Sequence, residues 1–94
     1  MTQIESVKDV DSELLDICKE IKAQNYSFEE WMNSESCDMF QSPHYCGGFD
    51  ADDQAFWFSY YDDNEKESYF RIDLSEVDEI ISGNRKTIVL EKPK

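Results

Sequence analysis

The sequence predicts an α+β domain: a long N-terminal helix and short helices packed on a small, mainly antiparallel sheet of three to four strands, in the order helix, helix, strand, strand, helix, strand. Three observations carry that expectation. Apolar side chains at Ile4, Val7, Val10, Leu14, Ile17, Cys18 and Ile21 follow the three-to-four spacing of an amphipathic helix. Two aromatic runs, Phe56-Trp57-Phe58-Ser59-Tyr60-Tyr61 and Tyr69-Phe70-Arg71-Ile72-Asp73-Leu74, flank the polar segment from Asp62 to Lys66, the pattern of a hairpin with a longer loop. A β-branched run from Lys86 to Glu91 reads as a last strand. The 94 residues make one domain, 1–94, with no room for a second.

In chain order, the first helix covers residues 4–23 and starts at Asp9, Asp11 or Ser12, each of which can cap it. Its outer side carries Glu5, Asp9, Glu13, Asp16 and Glu20 at helical steps. This acidic stripe is either a working surface or an ordinary wet face, relieved in part by Lys8 and Lys19. Ser27 and Glu30 form a capping-box pattern for a second helix, with Phe28, Trp31 and Met32 on its buried side. That helix either ends near Asn33 or resumes through Cys37, Met39 and Phe40.

Residues 41–48 read as loop, because Pro43 excludes helix and Gly47-Gly48 frees the backbone. In the hairpin, strand alternation puts Phe56, Phe58 and Tyr60 on a core face and leaves Trp57, Tyr61 and Tyr69 on the other. Ser75 caps a short third helix with Val77, Ile80 and Ile81 inward, and Gly83 closes it.

Charge is the outlier. Twenty-two acidic against nine basic side chains leave a formal charge of −13, and the imbalance sits in residues 1–83, while Arg85, Lys86, Lys92 and Lys94 make the end of the chain basic. Such a field repels nucleic acid and anionic membrane and attracts proteins with basic patches, at rates that fall as salt rises. Direct nucleic-acid binding and membrane association are therefore not expected. Three cysteines without tight spacing, and no leader-like or membrane-spanning run, fit a reduced cytoplasmic protein with free thiols.

Chemistry has little to work with. Cys37, His44 and Cys46 are ligand types for zinc, with Asp38 or Cys18 as a fourth, but their spacing fits no zinc plan. The run from Asp50 to Asp53 fails as a calcium loop, because Ala55 stands where glycine is needed and Tyr61 where a bidentate glutamate belongs. With His44 the single histidine and no phosphate loop or nucleophile motif, we expect no enzyme, no catalytic residues, no metal and no cofactor.

Protein recognition remains. A basic groove shaped for the phosphate lattice of DNA also accepts carboxylates held on a rigid surface, and helical steps of four space them by about 6 Å. The expected partner-binding surface comprises the helix acids Glu5, Asp9, Glu13, Asp16 and Glu20, and the hairpin acids Asp50, Asp52, Asp53, Asp62, Asp63, Glu65 and Glu67. Asp73, Glu76, Asp78 and Glu79 around the third helix complete it. Trp57, Tyr61 and Tyr69 are either a homodimer interface or a second small core under the terminal helix.

An acidic chain of this size, built on a helix and the aromatic hairpin quoted above, resembles the small DNA-mimic inhibitors made by phages. The Arn-type anti-restriction proteins of T-even phages come first, and small acidic anti-CRISPR proteins next. The resemblance is one of construction over the whole chain, and no contact residue is carried over from it. It implies an intracellular protein, often an elongated dimer, that occupies the DNA-binding channel of a basic DNA- or RNA-binding host protein. The runner-up from the same composition is a small acidic immunity or adaptor protein that caps one specific partner.

Overall fold

Asp11 sets the start of the first helix. Its backbone is extended and its carboxylate accepts the Leu14 N–H at 2.9 Å, satisfying a donor that the first helical turn leaves unpaired. The computed structural model describes residues 4–25, 27–33 and 39–91, apart from the side chains of Ile4 and Glu5. In it, helix α1 runs Ser12–Gln24 and is preceded by a strand, β1 (Ile4–Asp9). The chain continues through α2 (Phe28–Met32), β2 (Met39–Gln41), β3 (Tyr45–Asp50), β4 (Ala55–Tyr61), β5 (Glu67–Ile72), α3 (Leu74–Ser82) and β6 (Thr87–Glu91).

This corrects the predicted fold. One six-stranded antiparallel sheet, ordered β1-β6-β5-β4-β3-β2, replaces the expected three to four strands, and the long N-terminal helix shrinks to 13 residues. The helical spacing of Ile4, Val7 and Val10 misled. All three are β-branched; β6 offers Ile4 and Val7 partners in Glu91 and Val89, while Val10, just past β1, donates its N–H to the Lys86 carbonyl and packs against the core. Val7 is 63% exposed, so it was never part of a helical core stripe.

The second correction lies in residues 39–50. Met39 and Phe40 do not extend α2; they belong to β2 with Gln41, and half of the supposed loop, residues 45–48, is β3, leaving Ser42-Pro43-His44 as the connection. Gly47 is there for close approach, not freedom. A Cβ on it would sit 2.1 Å from the Trp57 carbonyl oxygen and 2.7 Å from the Phe58 Cα, so only glycine lets β3 lie this tightly on β4. Residues 34–38, including Cys37 and Asp38, lie outside the described residues, as do Lys92 and Lys94.

The hairpin of β4 and β5 forms with its connection at residues 62–66, and Phe56 faces Ile72, Phe58 faces Phe70 and Tyr60 faces Ser68. Strand β5 stops at Ile72 because Asp73, not Ser75, caps α3. Its carboxylate accepts the Glu76 N–H at 2.9 Å, and Glu76 reaches back to the Asp73 N–H. Gly83 ends α3 in the left-handed region at φ 86°.

One face of the sheet takes all three helices. Leu14, Ile17, Cys18 and Ile21 of α1, Trp31 of α2, and Val77 and Ile80 of α3 share a single buried cluster with Phe40, Phe56, Phe58, Phe70, Ile88 and Leu90. Phe58 stacks on Phe70 at 5.3 Å between ring centroids, and Trp31 meets Phe56 edge-on at 5.2 Å. Each fully buried ring of this kind stabilises the fold by roughly 1.5–3 kcal/mol. Because the helices of the described residues all lie on this side, the opposite face of the sheet carries none of them.

Candidate functional site

Strand alternation fixes what the open face carries. Met39, Gly48 and Trp57 are successive register partners, as are Trp57 and Arg71, and Val89 and Val7. Tyr69 opposite Glu91 places Arg71 opposite Val89 two residues on. One row therefore crosses all six strands, and Trp57, Arg71, Val89 and Glu91 line a shallow hollow in it. Five large apolar side chains are exposed among the described residues, and four of them, Val7, Met39, Tyr61 and Val89, belong to this face. Exposed apolar surface is thus concentrated where no helix lies.

Trp57, Tyr61 and Tyr69 lie together here, on the side away from α3. Their polar tips are tied down by carboxylates of the same face. The Trp57 indole N–H donates to Asp53 Oδ2 at 2.6 Å, and Glu67 accepts from Tyr61 at 2.7 Å and from Tyr69 at 2.8 Å. The two phenols hold the Glu67 carboxyl below its ordinary range, and the same hydrogen bonds push both phenols up. The rings are held in one orientation, with Tyr61 exposed and Trp57 and Tyr69 half-buried.

The carboxylates expected to act together separate into two groups. Many hold the fold. Asp73 caps α3, Glu76 pairs with Arg85 while completing the capping box, and Asp78 pairs with Lys22 at 2.9 Å. Asp50 accepts the Asp52 N–H in its own turn, and Asp62 accepts from the backbone of Asn64 and Lys66. Glu67 and Asp53 orient the aromatics. The others, Asp9, Asp16, Glu20, Asp52, Glu65 and Glu79, are exposed and have no ion pair or side-chain hydrogen bond among the described residues. The stripe drawn through Glu5, Asp9, Glu13, Asp16 and Glu20 is broken at its start, since Asp9 and Glu5 belong to β1; the side chain of Glu5 lies outside the described residues. The turns at residues 51–54 and 62–66 sit at opposite ends of β4, about 20 Å apart at strand rise, so their acids form two poles rather than one row.

At one pole His44 joins three elements. Its Nδ1 lies 2.7 Å from Glu13 Oε1 at the start of α1, and Glu13 Oε2 accepts from the His44 N–H at 3.1 Å and from the Ser42 hydroxyl at 2.9 Å. The other ring nitrogen lies 3.4 Å from Asp63 in the β4–β5 connection. The hydrogen bond to Glu13, with the charge of Asp63 behind it, raises the His44 pKa, and His44 in turn lowers that of Glu13. A carboxylate–histidine pair is two of the three members of a hydrolytic triad, but Ser42 donates to Glu13 rather than facing His44, so the pair works as a clamp on the 42–44 turn. Beside it, Asp11 accepts from Lys8 at 2.8 Å and from the Tyr45 hydroxyl at 2.8 Å. Burial opposes its charge, yet these bonds and the Leu14 N–H hold its carboxyl below the usual range.

Among the described residues no group of three or more histidine, cysteine, aspartate or glutamate side chains is placed to hold a metal ion. No described helix is long and apolar enough to cross a membrane. Comparison with family models, curated proteins and solved structures finds no match to this chain.

Sequence reasoning missed Val7, Met39, Val89 and Arg71 as companions of the aromatics. It also missed His44 as the link between α1 and the hairpin. The first group was readable once β1 and β2 were taken as strands; the second depends on a fold contact between residues 13 and 44 that no local pattern announces.

Proposed function

We propose that this chain is a non-enzymatic DNA mimic that blocks a basic, nucleic-acid-binding host protein, such as a restriction, CRISPR or nucleoid factor, in the cytoplasm. The observation that carries the reading is a group of exposed carboxylates, six of them Asp9, Asp16, Glu20, Asp52, Glu65 and Glu79, that no lysine or arginine neutralises among the described residues. They sit on a chain whose net charge is −13, and a cationic channel gains from them by attraction of opposite charge, which salt screens. The test is capture of partners from host lysate at low salt followed by elution with duplex DNA. A mimic releases its partner to DNA and to salt, and loses affinity gradually as the six acids are neutralised one by one. A partner held equally tightly across ionic strength, and not displaced by DNA, refutes it.

A second reading, an immunity or adaptor protein that caps one partner, is favoured by the fixed aromatics Trp57, Tyr61 and Tyr69, which have the form of binding anchors. It predicts that one or two substitutions on the open face abolish binding while neutralising Asp16 or Glu79 does little.

A further inference from the structure

The geometry points to the open face of the sheet as the docking surface for a basic protein, whose arginine side chains would lie against Trp57 and Tyr69 with apolar neighbours over Val7, Val89 and Met39. This deepens the proposed function and rests on its basic partner, while moving the centre of contact away from the helices that carry Asp16, Glu20 and Glu79.

Three observations select this occupant. The first is where apolar surface is exposed: Val7 at 63%, Met39 at 60% and Val89 at 38% stand in one row across the sheet, with Trp57 between them. A solvated sheet face normally carries polar side chains at such positions. The second is charge. Asp9, Asp50, Asp53, Glu67 and Glu91 share the face or its rim, against Arg71 as the cation among the described residues of that face. Two copies of the chain stacked through this face would set these carboxylates against their own kind, whereas a cationic surface meets them with opposite sign. The third is the pairing of each aromatic with a carboxylate, Trp57 with Asp53 and Tyr69 with Glu67. A guanidinium stacks on an aromatic face and forks onto a carboxylate beside it, so this combination suits arginine better than lysine.

The test uses the full chain, labelled with nitrogen-15, and two synthetic peptides of equal positive charge, one alternating arginine with leucine and one alternating arginine with glycine. At low salt the arginine–leucine peptide is expected to bind at least tenfold more tightly. Its amide shifts should centre on Val7, Trp57, Arg71 and Val89. The double substitution Val7→Thr and Val89→Thr, which keeps both register partners β-branched for the β1–β6 pairing while making them polar, should remove most of that advantage with the far-ultraviolet circular dichroism unchanged. Equal binding of the two peptides, with shifts centred on Asp16, Glu20 and Glu79, overturns the docking surface and leaves the basic partner standing. Absence of binding by either peptide overturns both. Concentration-dependent shifts on this face without peptide, accompanied by a dimer in sedimentation, identify a second copy as the occupant and also overturn the proposal.

Discussion

Replacing Gly47 by alanine tests the strand pairing on which the open face depends. The new methyl would stand 2.1 Å from the Trp57 carbonyl oxygen and 2.7 Å from the Phe58 Cα, both backbone atoms that cannot rotate away. Contacts of that kind need at least 3.0 Å, so β3 must retreat by roughly 1 Å from a strand spacing of about 4.8 Å. Two ladder hydrogen bonds beside the site then lengthen or break, at about 1 kcal/mol each, and overpacking of a filled interior adds about 1–3 kcal/mol. The expected loss is roughly 3–5 kcal/mol, a large part of the ~5–15 kcal/mol that a domain of this kind has in total. Urea titration followed by far-ultraviolet circular dichroism measures it. Gly83→Ala is the matched control: φ is +86° there and nothing lies within 4 Å, so the methyl meets only backbone strain, about 1 kcal/mol. If Gly47→Ala proves no worse than Gly83→Ala, the β3–β4 register is not as drawn and Trp57 is not fixed on the open face by it.

The His44 clamp predicts a pH window. His44 is raised above 6.5 chiefly by its hydrogen bond to Glu13, so its contribution is complete below pH 6.5 and disappears as pH rises through the folded value; Glu13 is lowered below 4.5 by His44, and its contribution disappears as pH falls through its own folded value. The difference in thermal midpoint between the wild-type chain and His44→Gln should therefore be greatest between about pH 4.5 and 6.5 and shrink on both sides, and a difference independent of pH would remove the clamp. Asp73→Ala should cost about 1 kcal/mol in urea titration, because a cap is lost, whereas Asp16→Asn, Glu20→Gln and Glu79→Gln should leave the midpoint unchanged or raise it by relieving like-charge repulsion. Burial pushes the Cys18 thiol up to about 12, so at pH 8 iodoacetamide should label Cys46 well before Cys18, as read by mass spectrometry of the peptides.

What could be read from the sequence divides along a physical line. Where local chemistry and tertiary contacts agree, the residues announce their structure. The β4–β5 hairpin has aromatic alternation and a polar connection, α2 has its Ser27 and Glu30 capping box, and Gly83 ends α3. Where a remote partner decides, they do not. Ile4–Asp9 carries both helical spacing and β-branched side chains, and only pairing with β6, some eighty residues away, turns it into a strand. Gly47 reads as loop until Trp57 and Phe58 are placed beside it. The acidic residues show the same division: their number is visible at once, but whether an aspartate caps a helix, closes a turn, orients an indole or faces solvent depends on neighbours that the fold supplies.

That division bears on how the charge can act. Acidic side chains are cheap to place in short connections, because aspartate accepts backbone N–H groups at helix starts and tight turns. Asp11, Asp50, Asp62 and Asp73 are used in this way. A carboxylate bound to its own backbone still contributes to the long-range field that draws a basic partner in, but its oxygens are engaged and it offers less at contact. Steering therefore scales with the whole −13, while the grip depends on the unpaired acids and on what stands beside them. The helical acids Asp16, Glu20 and Glu79 have no apolar company on the open face, whereas Asp9 shares a strand face with Val7. A partner attracted by all the acids would thus be held longest where charge and exposed rings coincide. Removing Trp57 should then raise the dissociation rate with little change in association, and neutralising Asp16 and Glu20 should slow association and leave dissociation nearly as it was.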